Sequence, residues 1–394
     1  MSNNAYARRD FLKIAALLPL TLSLHTTATT MEKDKEMLLY IGTYTSGKSE
    51  GIYIYRMNTT TGELKHSGTA KGVVNPSFLA IDSRRRYLYA VNEVDEFGGK
   101  KSGAISSFAI DRSSGDLRFM NQQPSLGAAP CHVSVSANDR FVLVANYNGG
   151  NVSVFPVQPG GELAPASDLE QHKGAAGINP ERQEGPHAHC IILDRSNRYA
   201  FAADLGLDKI MIYKFDSKAG KLTPHGSFST SLKPGAGPRH FTFHPDGRYA
   251  YVINELDSTV TAFTYDKLRG MLKETQTVGT LPSGFSGHND CADIHVSPSG
   301  KFLYGSNRGH DSIVVFAIDE QTGKLSYIEH VSTQGKTPRN FTLDPTGAFL
   351  LAANQESDTV VTFRINQQTG KLTPTGHIAD VPSPVCLKLI QPFA

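Results

Sequence analysis

Residues 237–255 read GPRHFTFHPDGRYAYVINE. Two apolar runs, FTF and RYAYVI, flank the turn-forming HPDG, which predicts two antiparallel strands joined by a tight turn. Arg239 and His240 stand at the entrance of this hairpin and Glu255 at its exit. Charged groups are expensive to bury alone, so whatever surrounds that end of the hairpin must account for them.

The hairpin is one of six complete copies. The others are NPSFLAIDSRRRYLYAVNE from Asn75, APCHVSVSANDRFVLVANY from Ala129, AHCIILDRSNRYAFAADL from Ala188, CADIHVSPSGKFLYGSNR from Cys291 and TPRNFTLDPTGAFLLAANQ from Thr337. A third strand follows each, such as STVTAFTYD from Ser258 or DSIVVFAID from Asp311. Between copies runs a tag in which a glycine sits two residues before a leucine. Its glycines are Gly62, Gly115, Gly161, Gly220, Gly270, Gly323 and Gly370, a mean spacing of about 51 residues. Glycine suits a tight hairpin turn, and the leucine begins a fourth strand. Four short strands at this period predict an all-β fold, a seven-bladed β-propeller with four antiparallel strands per blade. LLYIGTY (38–44) matches a second strand with no first before it, and SPVCLKLI (383–390) matches a first strand with no second after it. One blade is therefore expected to be closed by strands from both chain ends, which removes the open sheet edge. The propeller is expected to occupy residues 37–394 as one domain.

Composition narrows the class. A formal charge of +2 over 394 residues argues against a nucleic-acid binder that relies on a basic field. Cys131, Cys190, Cys291 and Cys386 lie far apart without CxxC spacing and read as small buried thiols, not a zinc site or a disulfide framework. At the N-terminus, ARRDFLKIAALLPLTLSL pairs two arginines with a short apolar run broken by Pro19. Residues 1–30 resemble a twin-arginine export signal, so the expected location is the periplasm, with the cytoplasm as the alternative. Removal of that segment would leave 36 basic and 36 acidic residues and no stable membrane insertion. A monomer is expected.

The copies superimpose by number. The residue at the Pro238 position and that at the Asn254 position are 16 apart in each hairpin. An up-and-down blade brings these two positions together on one rim of the central channel. The slot after the first holds Ser77, Cys131, His189, Arg239, Ala292, Arg339 and Val385. The slot after the second holds Glu93, Tyr147, Leu205, Glu255, Arg308, Gln355 and Thr43. The frame repeats while these slots vary, so His189, Arg239, Glu255, Arg308 and Arg339 are expected to converge on one small anionic ligand. The recurring Asn92, Asn146, Asn254, Asn307 and Asn354, with Asp204, point instead to a structural hydrogen bond in the loop after the second strand. His132 and His240 occupy the next position along the first strand. Alternation should turn them from the axis, so they are expected to pack between blades. The longest insertions, 164–187, 94–103 and 281–290, fall on the same rim, where loops commonly build sites. The first ends at His187, two residues before His189, and the last carries His288. No metal-site motif, nucleophile elbow or phosphate-binding loop is present, and no cofactor is expected.

The hairpins, the TGKL turns, GPRHFTFHPDGRYAYVINEL and FLYGSNRGHDSI resemble the seven-bladed propeller lactonase family, which includes bacterial 6-phosphogluconolactonases and fungal carboxymuconate cyclases. The resemblance covers nearly all of residues 37–394. It implies metal-independent hydrolysis of a sugar lactone, with a catalytic set falling on His189, Arg239, Glu255 and Arg308. His187, His288, Arg339, Gln355 and Glu93 are then expected to bind substrate, a small lactone or anionic sugar. Either Glu255 or His189 would be the general base, although a glutamate between arginines should be a weak one. The alternatives are a lactonising cyclase, or a non-catalytic exported propeller that binds a glycan or a protein. Export also sits poorly with a phosphorylated substrate, which is a cytoplasmic metabolite.

Overall fold

The computed structural model describes residues 36–391. The segment 1–30, read as an export signal, lies outside the described residues. The body is seven four-stranded antiparallel sheets, and a two-residue ribbon (Glu96–Phe97 with Lys100–Lys101) is the only other sheet among the described residues. In the closing blade, Pro384–Ile390 pairs with Glu36–Thr43, placing Tyr40 opposite Lys388. Both chain ends therefore build one sheet, as expected.

The strands differ by depth in the blade. Second strands such as Tyr249–Asn254 and Phe349–Asn354 are buried throughout, because blades cover them on both faces. Outer strands such as Met271–Gly279 alternate with solvent. The apolar core is accordingly a ring of clusters between neighbouring blades. In one of them Tyr251 and Ile253 pack with Ile294, Leu303 and Phe316 of the next blade.

The tag glycines lie in these seams. Gly62 approaches the ring of Phe349, Gly161 that of Tyr87, Gly220 that of Phe141, Gly270 that of Tyr199, Gly323 that of Tyr249 and Gly370 that of Phe302. Gly115 meets Leu38 at the same position. Each blade's outer turn thus seats against a residue at or near the start of the preceding blade's second strand, and seven such steps close the circle. Two residues along that strand, Tyr40, Tyr89, Tyr251 and Tyr304 donate their hydroxyls to the carbonyls of Gly115, Gly161, Gly323 and Gly370.

The innermost strands determine what the channel contains. Their pairing with the second strand skips a residue just after the first position, between Pro130 and His132, Ala188 and Cys190, Pro238 and His240, and Pro338 and Asn340. Such a bulge breaks the in–out alternation, so successive side chains point to the same side. His132 and His240 consequently face the axis, contrary to the alternation argument. His240 and Phe78, three blades apart, meet across the channel with ring centroids 5.5 Å apart, and His132 lies 4.5 Å from Phe78. These positions also join blades. The inner strand's free edge carries unpaired N–H groups, and the side chain at this position in the preceding blade accepts one. Leu79 N–H donates to Cys386 Sγ at 3.3 Å, Ile191 N–H to His132 Nδ1 at 3.4 Å, and Leu387 N–H to Asn340 Oδ1 at 2.7 Å. The inter-blade role expected of His132 is present, exercised from inside the channel.

Gly323 has a φ of +69°, and an added Cβ would overlap the Tyr249 ring. Gly323→Ala should therefore destabilise the protein by about 2–4 kcal/mol, from left-handed backbone strain plus overpacking. Chemical denaturation would register this as a lower midpoint.

Candidate active site

The 16-residue spacing is realised as strand register: Pro238 faces Asn254, Ala188 faces Asp204, and Cys291 faces Asn307. The recurring amides are structural. Asn92, Asn146, Asn307 and Asn354 donate to the carbonyls of Val74, Ser125, Thr280 and Thr333, tying the loop after the second strand to the crossing between blades. Asp204 accepts from the His187 and Leu207 N–H groups and pairs with His172. With the frame so held, the variable slots open on a cavity of about 260 Å³ at the channel mouth. Glu93, Cys131, Tyr147, Arg182, His189, Glu255, Asp290, Arg308 and Arg339 line it.

Glu255 is the hub. It is buried, and Arg182 Nη2 reaches its Oε1 at 2.5 Å, while Arg239 Nε and Arg308 Nη2 reach Oε2 at 2.8 and 3.1 Å. Burial alone would raise its pKa, but the guanidiniums of Arg308, Arg239 and Arg182 overcome that and hold the carboxyl well below the usual range. Arg239 sits beneath the cavity, 2% exposed. Burial and the neighbouring Arg308 and Arg339 lower its pKa to about 10, so it remains a cation at neutral pH. Arg308 also donates to Cys291 O at 3.0 Å, and its Nε is buried without a hydrogen-bond partner among the described residues.

A second network faces the first. Tyr44 donates to Glu93 at 2.9 Å, Ser77 makes a very short hydrogen bond to the same carboxylate, and Arg339 Nη2 donates to Tyr44 Oη at 3.0 Å. Among the described residues, no carboxylate lies within ion-pair distance of Arg339. Between the networks stands His189. It is buried, its Nδ1 lacks a hydrogen-bond partner among the described residues, and it packs edge-on against Tyr147 with centroids 5.5 Å apart. Burial, then the charge of Arg239, pushes its pKa well below the ordinary imidazole value, so the ring is neutral.

The other expected site residues lie outside the cavity wall. His187 stacks on Tyr147 at 4.4 Å and directs Nε2 to Glu184, one layer behind the cavity. His288 is largely exposed and pairs with Asp290, which does border the cavity. Gln355, in the short 3₁₀ turn Gln355–Ser357, does not reach it. Sequence reasoning missed Arg182, which falls in the insertion 164–187 and has no register to the repeat. Its neighbour Gln183 is fully buried and donates to Leu205 O and Asp208 Oδ1 at 2.9 and 2.8 Å, which holds Arg182 over Glu255. One signal was available: Arg182 is the only arginine in the longest rim insertion.

Comparison with known proteins agrees with this architecture. The family model for seven-bladed β-propeller lactonases matches residues 38–389. The chain is 42% identical over 352 residues to a Bacillus subtilis 6-phosphogluconolactonase, spanning 89% of this chain and 98% of the relative. It is 38% identical over 310 residues to the 6-phosphogluconolactonase of Formosa agariphila, across 78% and 86% of the two chains. Among solved structures, the periplasmic gluconolactonase of Pseudomonas aeruginosa superimposes with a TM-score of 0.85 at 36% identity, over 91% of this chain and 99% of that one.

The neutral state of His189 has a measurable consequence. In the unfolded chain the ring takes up a proton near pH 6.5, and in the folded protein it does so only at much lower pH. Burying it therefore withdraws stability as the pH falls below about 6.5. An NMR titration should show the His189 ring without a protonation step from about pH 8 down to about pH 5.5. A midpoint near the ordinary value would refute the assignment.

Proposed function

The chain belongs to the seven-bladed β-propeller lactonase family, and from that premise we propose that it hydrolyses a sugar lactone in the cavity around Glu255 and His189. The observation that carries this reading is the pairing of a neutral, cavity-bordering imidazole with guanidiniums organised by one buried carboxylate. His189 takes a proton from water as the water oxygen bonds to the lactone carbonyl carbon. Arg308 and Arg182, which border the cavity, stabilise the oxyanion that forms. The ring C–O bond then breaks, and the departing alkoxide recovers the proton from His189. The product is the open-chain hydroxy acid, which loses its proton to solvent.

Glu255 is a positioning residue on this reading. Both of its oxygens are engaged by guanidiniums, which leaves neither free to take a proton from water. The guanidiniums supply the electrostatic stabilisation, so EDTA leaves the rate unchanged.

The substrate we favour is an unphosphorylated aldonolactone met outside the cytoplasm. The twin-arginine-like segment supports this, as does the similarity to the Pseudomonas periplasmic enzyme. The charge at the cavity does too: Arg182, Arg239, Arg308 and Arg339 against Glu93, Glu255 and Asp290 leave a single positive charge, which matches a carboxylate product better than a phosphate dianion.

A pH-stat assay on gluconolactone and on 6-phosphogluconolactone, with the uncatalysed rate subtracted, tests the reading. Turnover should be faster on gluconolactone, and His189→Ala should lower kcat by about 10²–10⁴-fold. No turnover of either lactone would sink the proposal, and an unchanged kcat in His189→Ala would sink the base assignment alone.

A further inference from the structure

Arg239 is held from behind as well as from above. Its Nη1 donates to Ala292 O at 2.6 Å and faces His240 Nε2 at 3.2 Å. A guanidinium has only donors, so His240 Nε2 must be the acceptor, and the ring proton resides on Nδ1. That nitrogen lies 2.7 Å from Asp293 Oδ1. Asp293 is itself saturated. Its Oδ1 also accepts from Ile294 N–H at 3.0 Å, while Oδ2 accepts from Asn340 Nδ2 at 2.5 Å, Phe341 N–H at 3.3 Å and His295 Nε2 at 2.9 Å. A fixed carboxylate thus sets the tautomer of a buried imidazole, and the imidazole sets the plane of an arginine.

A second observation separates His240 from its repeat equivalents. Cys386, His132 and Asn340, at the same position, accept an N–H from the inner strand of the next blade. The corresponding N–H beside His240 belongs to Ile294, and Asp293 takes it instead. His240 is thereby released from joining blades, and its acceptor is available to Arg239. Within one repeat frame, His132 and His240 also adopt opposite tautomers. His132 Nδ1 accepts from a backbone N–H, whereas His240 Nδ1 donates.

We infer that His240 and Asp293 are positioning residues for the reaction: they orient Arg239, which aligns Glu255 and through it Arg182 and Arg308 at the cavity. The inference rests on the lactonase reading. It concerns residues that touch no substrate. Burial and the adjacent Arg239 lower the His240 pKa to about 4, so the ring remains a neutral acceptor at working pH.

The test combines kinetics with ¹⁵N NMR of histidine-labelled protein. Wild-type His240 should show a protonated Nδ1 and a bare Nε2, and His132 the reverse. His240→Leu removes the acceptor and should lower kcat by about ten- to a hundredfold, a typical loss for a partner one layer from the chemistry, with a much smaller change in KM. His240→Gln places an amide oxygen near the Nε2 position and should recover most of that loss. In Asp293→Asn, the three donors at Oδ2 keep the new oxygen on their side and turn the amide NH₂ toward His240. The tautomer should then reverse and kcat fall as in His240→Leu. A wild-type His240 protonated on Nε2 would overturn the inference. So would a folded His240→Leu with wild-type kcat, or Leu and Gln variants impaired equally. If the wild-type protein hydrolyses no lactone, the functional reading fails. The positioning inference is then decided by the His240 tautomer and by whether Asp293→Asn shifts the Arg239 Nε–H resonance.

Discussion

The contact between each blade's outer turn and the side chain near the start of the preceding blade's second strand governs the rest of the molecule. A glycine is required there because the neighbouring side chain, a ring in six seams and Leu38 in the seventh, occupies the space a Cβ would fill. The Tyr hydroxyls that bond the same glycines' carbonyls define the lateral position of one blade on the next. Repeated seven times, this step closes the circle and sets the channel width. Side chains from blades three apart then meet, as Phe78 and His240 do. A looser seam would widen the channel and separate the arginines that converge on Glu255.

Convergence of this kind is costly unless it is compensated. Burying a single guanidinium or carboxylate is unfavourable, and removing one member of a buried set leaves the others unpaired. The site is organised accordingly. Glu255 is shared by three arginines, and Arg239 finds further acceptors in Ala292 O and His240. Glu93 is satisfied by hydroxyls and has no direct arginine partner among the described residues. The uneven pairing leaves Arg339 without a carboxylate among the described residues, and it leaves the buried Nδ1 of His189 without a partner. With the unpartnered Nε of Arg308, those are the groups in the cavity wall with interactions still to make among the described residues.

Much of this was legible in the chain because repetition exposes its own exceptions. The hairpin register of 16 residues followed from aligning six copies, and the observed pairing of Pro238 with Asn254 has that register. The variable slots identified Glu93, His189, Glu255, Arg308 and Arg339 as rim positions, and all five line one cavity. Alternation failed at His132 and His240 because the bulge that turns both adjacent side chains inward has no residue-type signature at those positions. Arg182 escaped notice because an insertion lies outside any register. His288 shares the rim by sequence, but its loop leaves it in solvent beside Asp290.

By itself the sequence determined the number of blades, the strand order within each and the closure by both chain ends. These follow from local periodicity and turn chemistry, which act over a few residues and repeat. Only the tertiary structure decided which ionisable groups share a carboxylate, which histidine nitrogen carries the proton, and which loop residue completes the cluster. Those outcomes depend on distances of about 3 Å between residues far apart in the chain, where hydrogen bonding is decided. No local pattern encodes such distances. They are set once seven blades close on a common axis.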